Sequence, residues 1–209
     1  MRCFLLGATG KTGGQLLDLA LQGGHGVTAF VRSPQKLPAD RPGLTVIQGS
    51  PADVQALARA MAGHDAVFSA LAPRGGEIFR ATSKRAWTMT GYAENILRAM
   101  EQARVERLVA FSSAGLFPGQ SLFVRMLSFP ARHHMADLRS MEETYRTSAL
   151  DWTLLRPTWM GAGQSEAYRV AVDALPEGAK AMHFRGLAKS MLDAAAERTH
   201  RRQLLGIGR

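Results

Sequence analysis

The chain has 209 residues, of which 46% are hydrophobic and 21% are charged. This length fits one domain, and the apolar fraction is too high for a disordered chain. The hydrophobic runs all fall short of the roughly 18 apolar residues that a membrane-spanning helix needs. The composition therefore predicts one packed domain with no membrane span.

Charge and cysteine content restrict the partners and the compartment. Lysine and arginine number 26 against 17 acidic residues, which gives a net charge of +9 and favours anionic partners in general. The basic residues are scattered, however, without the basic run and interleaved aromatic residues typical of nucleic-acid binding. The N-terminal residues leave no room for a signal peptide, and the single Cys3 cannot form an internal disulfide. We therefore expect a cytoplasmic protein that binds no nucleic acid.

Short apolar runs alternate with helix-periodic segments along most of the chain. The runs that predict buried strands are residues 3–6, 27–31, 44–47, 66–70, 108–111 and 152–155. The segments that predict helices are residues 13–22, 53–61, 84–102 and 136–147, with Asp53 as the N-cap of the second. Beyond them we predict short strands at 168–172 and 181–184, a helix at 187–196 and a last edge strand at 203–207. This alternation predicts an α/β fold, a doubly wound parallel sheet with helices on both faces, over residues 1–209.

A glycine-rich turn separates the first strand from the first helix. Glycines at this spacing let the backbone turn tightly and approach a pyrophosphate, to which the helix N-terminus offers free N–H groups. A Walker A loop does not fit, because Leu6 stands where the first glycine of that motif would fall. A purely structural strand–helix turn is the alternative interpretation. The candidate cofactor contacts in the turn are Gly7, Thr9, Gly10, Lys11, Thr12 and Gly13.

Two cations follow the second strand. An NAD-preferring site usually has an acidic residue there to accept a hydrogen bond from the ribose 2′-hydroxyl. Arg32 stands at this position instead, and Lys36 lies four residues further on. A guanidinium can pair with a 2′-phosphate through two parallel hydrogen bonds. The pattern therefore favours NADP(H), although Arg32 alone could also be a solvated loop residue.

Four segments, residues 7–13, 31–32, 111–114 and 150–157, resemble the atypical short-chain dehydrogenase/reductase family. The branch they resemble is the NAD(P)H-binding group that includes biliverdin reductase B and NmrA-like proteins. The resemblance implies a Rossmann fold that binds the cofactor where the strands end. It adds further candidate cofactor contacts at Ser50, Ala70, Leu71, Ala72, Ser112, Pro157 and Thr158.

The chain departs from the superfamily at the residues that move protons. The usual Tyr-x-x-x-Lys pair is missing, since none of Tyr92, Tyr145 and Tyr168 has a lysine four residues later. Alcohol–ketone chemistry is therefore disfavoured, whereas reduction of a flavin or quinone needs only direct hydride transfer and a solvent proton. In the branch that the chain resembles, a serine and a histidine face the nicotinamide. The serine corresponds to Ser113, the candidate catalytic residue, and the histidine position is Trp159, whose ring could stack on a substrate.

Residues 115–132 are unusually apolar for a connection between elements. We interpret them as a cap that lines the substrate site, with Phe117 and Phe123 as candidate substrate contacts. An interface with a second copy or a membrane surface, and plain core packing, are the alternatives. His133 and His134 follow, but no carboxylate or thiol stands at ligand spacing, so we predict no metal site.

Taken together, the residues predict an NADPH-binding oxidoreductase that passes hydride to a small, flat acceptor such as a flavin or quinone. The main alternative is a non-catalytic protein that senses NADP(H). A sugar-type epimerase is a weaker alternative, because it too normally relies on the missing Tyr–Lys pair. We expect a monomer or homodimer.

Overall fold

The computed structural model describes residues 1–38, 40–73, 88–118, 131–197 and 200–209. The strands in these residues are β1 (Arg2–Leu6), β2 (Gly26–Val31), β3 (Leu44–Gln48), β4 (Ala66–Ser69), β5 (Arg107–Phe111), β6 (Asp151–Pro157), β7 (Met160–Gly161), β8 (Arg169–Val172), β9 (Met182–His183) and β10 (Gln203–Gly208). The α-helices are α1 (Lys11–Gln22), α2 (Val54–Met61), α3 (Thr88–Ala103), α4 (Arg132–Arg146) and α5 (Phe184–Ala196).

Eight strands form one sheet in the order β3-β2-β1-β4-β5-β6-β10-β8. Every neighbouring pair from β3 to β10 is parallel, and only β8 runs antiparallel to its neighbour β10. The two-residue strands β7 and β9 pair with each other. The predicted doubly wound parallel sheet is confirmed. Because the strands are parallel, their carboxyl ends meet at one edge of the sheet, which we call the carboxyl edge.

Helices cover both faces of this sheet, which explains the continuous apolar strands. Helices α1 and α5 pack together over one face, and α2, α3 and α4 lie side by side over the other. Successive strand residues point to opposite faces. In β1, Cys3 and Leu5 therefore enter the core under α1, whereas Phe4 and Leu6 enter the core under α3. Among the residues described, no helix combines the length and the apolar character needed to cross a membrane.

Two boundaries at the C-terminal end differ from the prediction. Residues 203–207 were expected as the last edge strand, but β10 lies inside the sheet between β6 and β8. Its residues from Leu204 onward are buried, as an internal strand requires, whereas β8 is half-exposed and forms the edge. Residues 181–184 were expected as a strand, but only Met182 and His183 pair, and Phe184 already begins α5.

A buried carboxylate joins the start of α3 to α4. Asp137 of α4 is 5% exposed and accepts hydrogen bonds from the backbone N–H groups of Met89 and Thr90 at 2.9 and 3.0 Å. The hydroxyl of Thr90 donates to the same carboxylate at 2.7 Å. The first N–H groups of a helix have no partner within the helix, and a negative charge at that end is favourable. Asp137 thus satisfies the amino end of α3 from the neighbouring helix.

A buried ion pair joins α4 to β6. The guanidinium of Arg156 donates to Glu142 through Nε at 2.9 Å and through Nη2 at 2.6 Å, and both residues are buried. The ring of Phe117 lies against the guanidinium, with its centroid 4.6 Å from the Arg156 Cζ. This geometry is the two-pronged pairing that makes arginine–carboxylate contacts strong. The ion pair thus connects the end of β6 with α4, and the Phe117 ring connects it with the segment that follows β5.

Replacing Glu142 by alanine is expected to destabilise the protein by about 3–5 kcal/mol, because it leaves the Arg156 charge buried without a partner. Urea denaturation followed by circular dichroism measures this change. The matched control is Glu143→Ala, because Glu143 is the next residue on α4 and is exposed; its effect should stay within about 0.5 kcal/mol. Equal effects of the two substitutions would contradict a stabilising role for the pair.

Candidate functional site

The structure brings most of the predicted site residues together at the carboxyl edge. Each group directly follows the end of a strand. The groups are residues 7–13 after β1, Arg32 after β2, Ser50 after β3, residues 70–72 after β4, Ser112 and Ser113 after β5, and Pro157, Thr158 and Trp159 at the end of β6. Lys36 ends a short 3-10 turn, Pro34–Lys36, beyond Arg32. Ligands of open α/β sheets bind at this edge.

Two glycines of the turn are required by the chain itself. Gly7 has φ +85°, a conformation that residues with a side chain rarely adopt. A Cβ on Gly7 would overlap the carbonyl group of Ala70, and a Cβ on Gly13 would overlap the carbonyl group of Gly7. These positions must be glycine for β1, β4 and α1 to approach each other this closely.

Gly10 differs from both. Its φ of −89° and ψ of 171° suit any residue, and a Cβ there would have only the Gly7 carbonyl oxygen nearby, at 3.2 Å. Gly10 is exposed and occupies the N-cap position of α1, where no side chain caps the helix. Packing within the chain therefore hardly demands a glycine at this position. A glycine here leaves room for an outside group to reach the free N–H groups of α1.

The other turn residues split between surface and interior. Thr9 and Lys11 are exposed, whereas Thr12 is 5% exposed and packs at the base of the helix. The α1 first turn contains no acidic residue. The positive end of its dipole thus has no counter-charge within its own first turn, which is the arrangement expected of an anion site.

Arg32 and Lys36 are both exposed at this edge. Within the described part of the chain, neither forms an ion pair with a carboxylate. Ser50 is partly used by its own turn, because its Oγ accepts from the Ala52 N–H at 3.2 Å. The Asn95 side-chain amide donates to the Pro51 carbonyl at 3.1 Å and ties this turn to α3.

The two serines after β5 differ in their hydrogen bonding. Ser113 caps a short 3-10 turn, where its Oγ accepts from the Gly115 N–H at 3.2 Å. Ser112 is 6% exposed, and its Oγ has no hydrogen-bond partner among the described residues. A buried hydroxyl without a partner costs about 1–3 kcal/mol. A ligand that pairs with Ser112 would recover this energy, so the orphaned hydroxyl fits a cofactor bound at the carboxyl edge.

The ends of β4 and β6 offer a bound ligand backbone groups more than unpaired side chains. Ala70 is buried, Leu71 half-buried and Ala72 exposed, so this segment offers little bulk against an approaching ligand. Pro157 is buried, and the Thr158 hydroxyl donates to the Lys180 carbonyl at 2.9 Å. The Thr158 hydroxyl hydrogen is thus already used within the fold.

The candidate substrate contacts are only partly within the described residues. Trp159 is 77% exposed, so its ring is not packed into the fold. Phe117 is 8% exposed and lies against Arg156, which favours the core-packing alternative for this residue. Phe123, with most of the cap predicted at 115–132, lies outside the described residues.

Two of the three tyrosines are engaged within the fold, and the third is half-buried. Burial raises the pKa of Tyr145 well above its usual range, and its hydroxyl is paired with Ser69. Burial and the hydrogen bond to Asp193, at 2.6 Å, raise the pKa of Tyr168 in the same direction. Tyr92 packs against the core under α3.

Of the two histidines at the start of α4, His134 is the one that its surroundings perturb. Burial lowers the pKa of His134, with the nearby Asp137 acting in the opposite direction. The lowered pKa favours the neutral form of the imidazole. The residues described contain no group of three or more side chains placed to hold a metal ion.

One contact at this edge was missed by sequence reasoning. The Lys11 ammonium lies 5.3 Å from the ring centroid of Phe184, the first residue of α5. Phe184 is far from the turn along the chain and was assigned to a strand. No local pattern indicates that α5 begins beside the glycine turn.

A parallel sheet covered on both faces, with a glycine turn leading into an uncapped helix at its carboxyl edge, defines a dinucleotide-binding protein of Rossmann type. The family model described as NAD(P)H-binding matches residues 7–198. The chain therefore belongs to the NAD(P)H-binding family. The predicted resemblance to an NAD(P)H-binding group is thereby confirmed.

Relatives in sequence carry dehydrogenase names. The chain is 33% identical over 123 residues to a 3 beta-hydroxysteroid dehydrogenase/Delta 5→4-isomerase of Mycobacterium tuberculosis, a match that covers 56% of this chain and 33% of that protein. It is 30% identical over 123 residues to a 3-beta-hydroxysteroid dehydrogenase of Mycolicibacterium neoaurum, with the same coverage of 56% and 33%. The chain thus matches about a third of the length of these relatives.

Solved structures share the fold over the whole chain. A short-chain dehydrogenase/reductase of Veillonella parvula in complex with NADP has a TM-score of 0.80 at 22% identity and covers 100% of this chain and 94% of its own. A Rossmann-fold NAD(P)-binding family protein of Shigella flexneri has a TM-score of 0.76 at 22% identity, with coverage of 100% and 93%. These likenesses confirm the fold.

Valine at position 10 is expected to weaken NADPH binding by more than tenfold while the protein still melts cooperatively, since its side chain would occupy the open space above the helix N-terminus. The contrasting variant is Gly13→Ala, whose Cβ meets the Gly7 carbonyl group and should lower stability by about 1–3 kcal/mol. Calorimetric titration and thermal melting separate the two effects. Normal NADPH affinity in Gly10→Val would mean that the turn is only structural.

Proposed function

We propose that the chain is an NADPH-dependent oxidoreductase that reduces a flat acceptor such as a flavin or quinone. In the balanced reaction, the acceptor takes a hydride from NADPH and one proton from solvent. It thereby gains two electrons and two protons in total, and NADP⁺ is released. When bound, the cofactor supplies the hydride. The chain's own residues bind it, orient it and leave room for the acceptor.

The observation that supports this acceptor class is the lack of the Tyr–Lys pair, together with the engagement of two of the three tyrosines within the fold. Tyr145 is buried and paired with Ser69, Tyr168 is bound to Asp193, and Tyr92 packs against the core. Oxidising a secondary alcohol calls for a base near the hydroxyl, and none of the three tyrosines has a lysine four residues later to make it one. A flavin or quinone can instead take its proton from solvent.

The steroid names of the sequence relatives point to the same shape of substrate. A steroid is a flat, apolar ring system, and the exposed Trp159 ring offers a flat, apolar surface next to the end of β6. Ser113, half-buried after β5, keeps its hydroxyl hydrogen free to donate to an acceptor oxygen or nitrogen. We assign to these two residues the orientation of the acceptor.

NADPH preference is attributed to Arg32. Its exposed guanidinium follows β2 without an ion-pair partner in the described residues, which suits a 2′-phosphate. Arg32→Ala should weaken NADPH binding by about ten- to a hundredfold, the worth of a charge-assisted contact of roughly 1.5–3 kcal/mol. NADH affinity should not change, and neither cofactor should be affected by Arg59→Ala, an exposed cation on α2. Equal wild-type affinities for NADPH and NADH would contradict the assignment.

Turnover decides between an enzyme and a sensor. NADPH oxidation, followed by its absorbance, should depend on added flavin mononucleotide or a simple quinone. Trp159→Ala should raise the acceptor KM several-fold and spare NADPH affinity, and Ser113→Ala should slow turnover moderately. The control is Val172→Ala, an exposed apolar residue on the edge strand β8. Tight NADPH binding without turnover on any acceptor would overturn the proposal in favour of an NADP(H)-sensing protein.

A further inference from the structure

Lys11 occupies an electrostatically unfavourable place. It is the first residue of α1, where the helix dipole presents its positive end, and the first turn contains no acidic residue. In the described part of the chain its ammonium forms no ion pair with a carboxylate. The contact that it does make is with the face of the Phe184 ring, 5.3 Å from the centroid. A cation placed there serves stability poorly.

The aromatic contact does not account for the lysine either. Lys11 is exposed, and cation–π contacts at exposed sites are weak, of the same order as the unfavourable interaction with the dipole. The two terms roughly cancel. The charge at this position is therefore better explained by an anion from outside the chain than by the fold.

Phe184 is held firmly enough to position a neighbour. The next residue, Arg185, donates to Glu166 at 2.9 Å and reaches Gln15 and Gln22 of α1 at 3.4 and 3.3 Å. These contacts dock the first turn of α5 onto α1 along two of its turns. The ring of Phe184 consequently has a defined place beside the glycine turn.

We propose that Phe184 is a positioning residue that holds the Lys11 ammonium at the mouth of the glycine turn, ready to pair with the cofactor pyrophosphate. This inference rests on the proposed function. The ring limits the conformations of a long, flexible side chain before binding, so less entropy is lost when the ion pair forms. It adds α5 to the elements that build the phosphate site.

The direction of the contact selects the pyrophosphate over the 2′-phosphate. Helix α5 lies under β5 and β6, and Arg32 follows β2 on the other side of β1. Lys11 therefore points away from Arg32. The two cations thus bind different phosphate groups of the cofactor, Arg32 the 2′-phosphate and Lys11 the pyrophosphate.

Titrations of NADPH and NADH into Lys11→Met, Phe184→Leu and the double variant test the proposal. Lys11→Met should weaken both cofactors by about tenfold, because both carry the pyrophosphate. Phe184→Leu should weaken both by about two- to fivefold, and Phe184→Tyr, which keeps the ring, should restore affinity. The double variant should bind no more weakly than Lys11→Met alone, since the ring acts only through the lysine. Without cofactor, Lys11→Met should melt at or above the wild-type Tm.

Each contrary result has a distinct meaning. Unchanged cofactor affinity in Lys11→Met, together with a lower Tm, would make the contact purely structural and overturn the inference. Additive losses in the double variant would remove the positioning role of Phe184, and a loss confined to NADPH would move Lys11 to the 2′-phosphate. Wild-type protein that binds neither cofactor would instead refute the proposed function itself.

Discussion

The close approach of three backbone segments at Gly7 and Gly13 is the constraint on which the site depends. A side chain at Gly13 would overlap the Gly7 carbonyl group, and one at Gly7 would overlap the Ala70 carbonyl group. Strand β1, strand β4 and helix α1 are therefore locked together without any side chain between them. This contact directs the amino end of α1 at the carboxyl edge, so its free N–H groups face outward.

The other half of the carboxyl edge is held by buried charges. Glu142 and Arg156 join α4 to β6, with Phe117 covering the guanidinium, and Asp137 secures the start of α3 from α4. Helix α4 thus carries two carboxylates that act on different elements.

Sequence reasoning recovered the fold because buried parallel strands leave an unmistakable pattern. Strands β1 to β6 were predicted as apolar runs, and Asp53 was correctly predicted as the cap of α2, since its carboxylate accepts from the Ala56 N–H. The order of the last strands was not predictable in the same way. A run such as residues 203–207 shows that a strand is buried, but its neighbours are chosen by tertiary packing.

The site was predictable only where it is local in sequence. The glycine turn is recognisable within seven residues, yet the features that decide the roles of its neighbours depend on distant segments. Phe184 lies against Lys11, Arg156 covers Phe117, and the Ser112 hydroxyl is left without a partner by the packing around it. Spacing cannot reveal such contacts. Only the folded chain shows which of two adjacent serines is used by the fold.

The place of β10 inside the sheet has a consequence for biosynthesis. Strand β10 supplies the hydrogen-bond partners of both β6 and β8, which are made earlier. Until the ribosome has released residues 203–208, β6 keeps an open edge and β8 has no neighbour to pair with. An open edge strand is a template for pairing with the wrong chain. A chain in which β10 has not yet formed is therefore more exposed to aggregation than the folded protein, and proteolytic loss of that strand would return it to the same state.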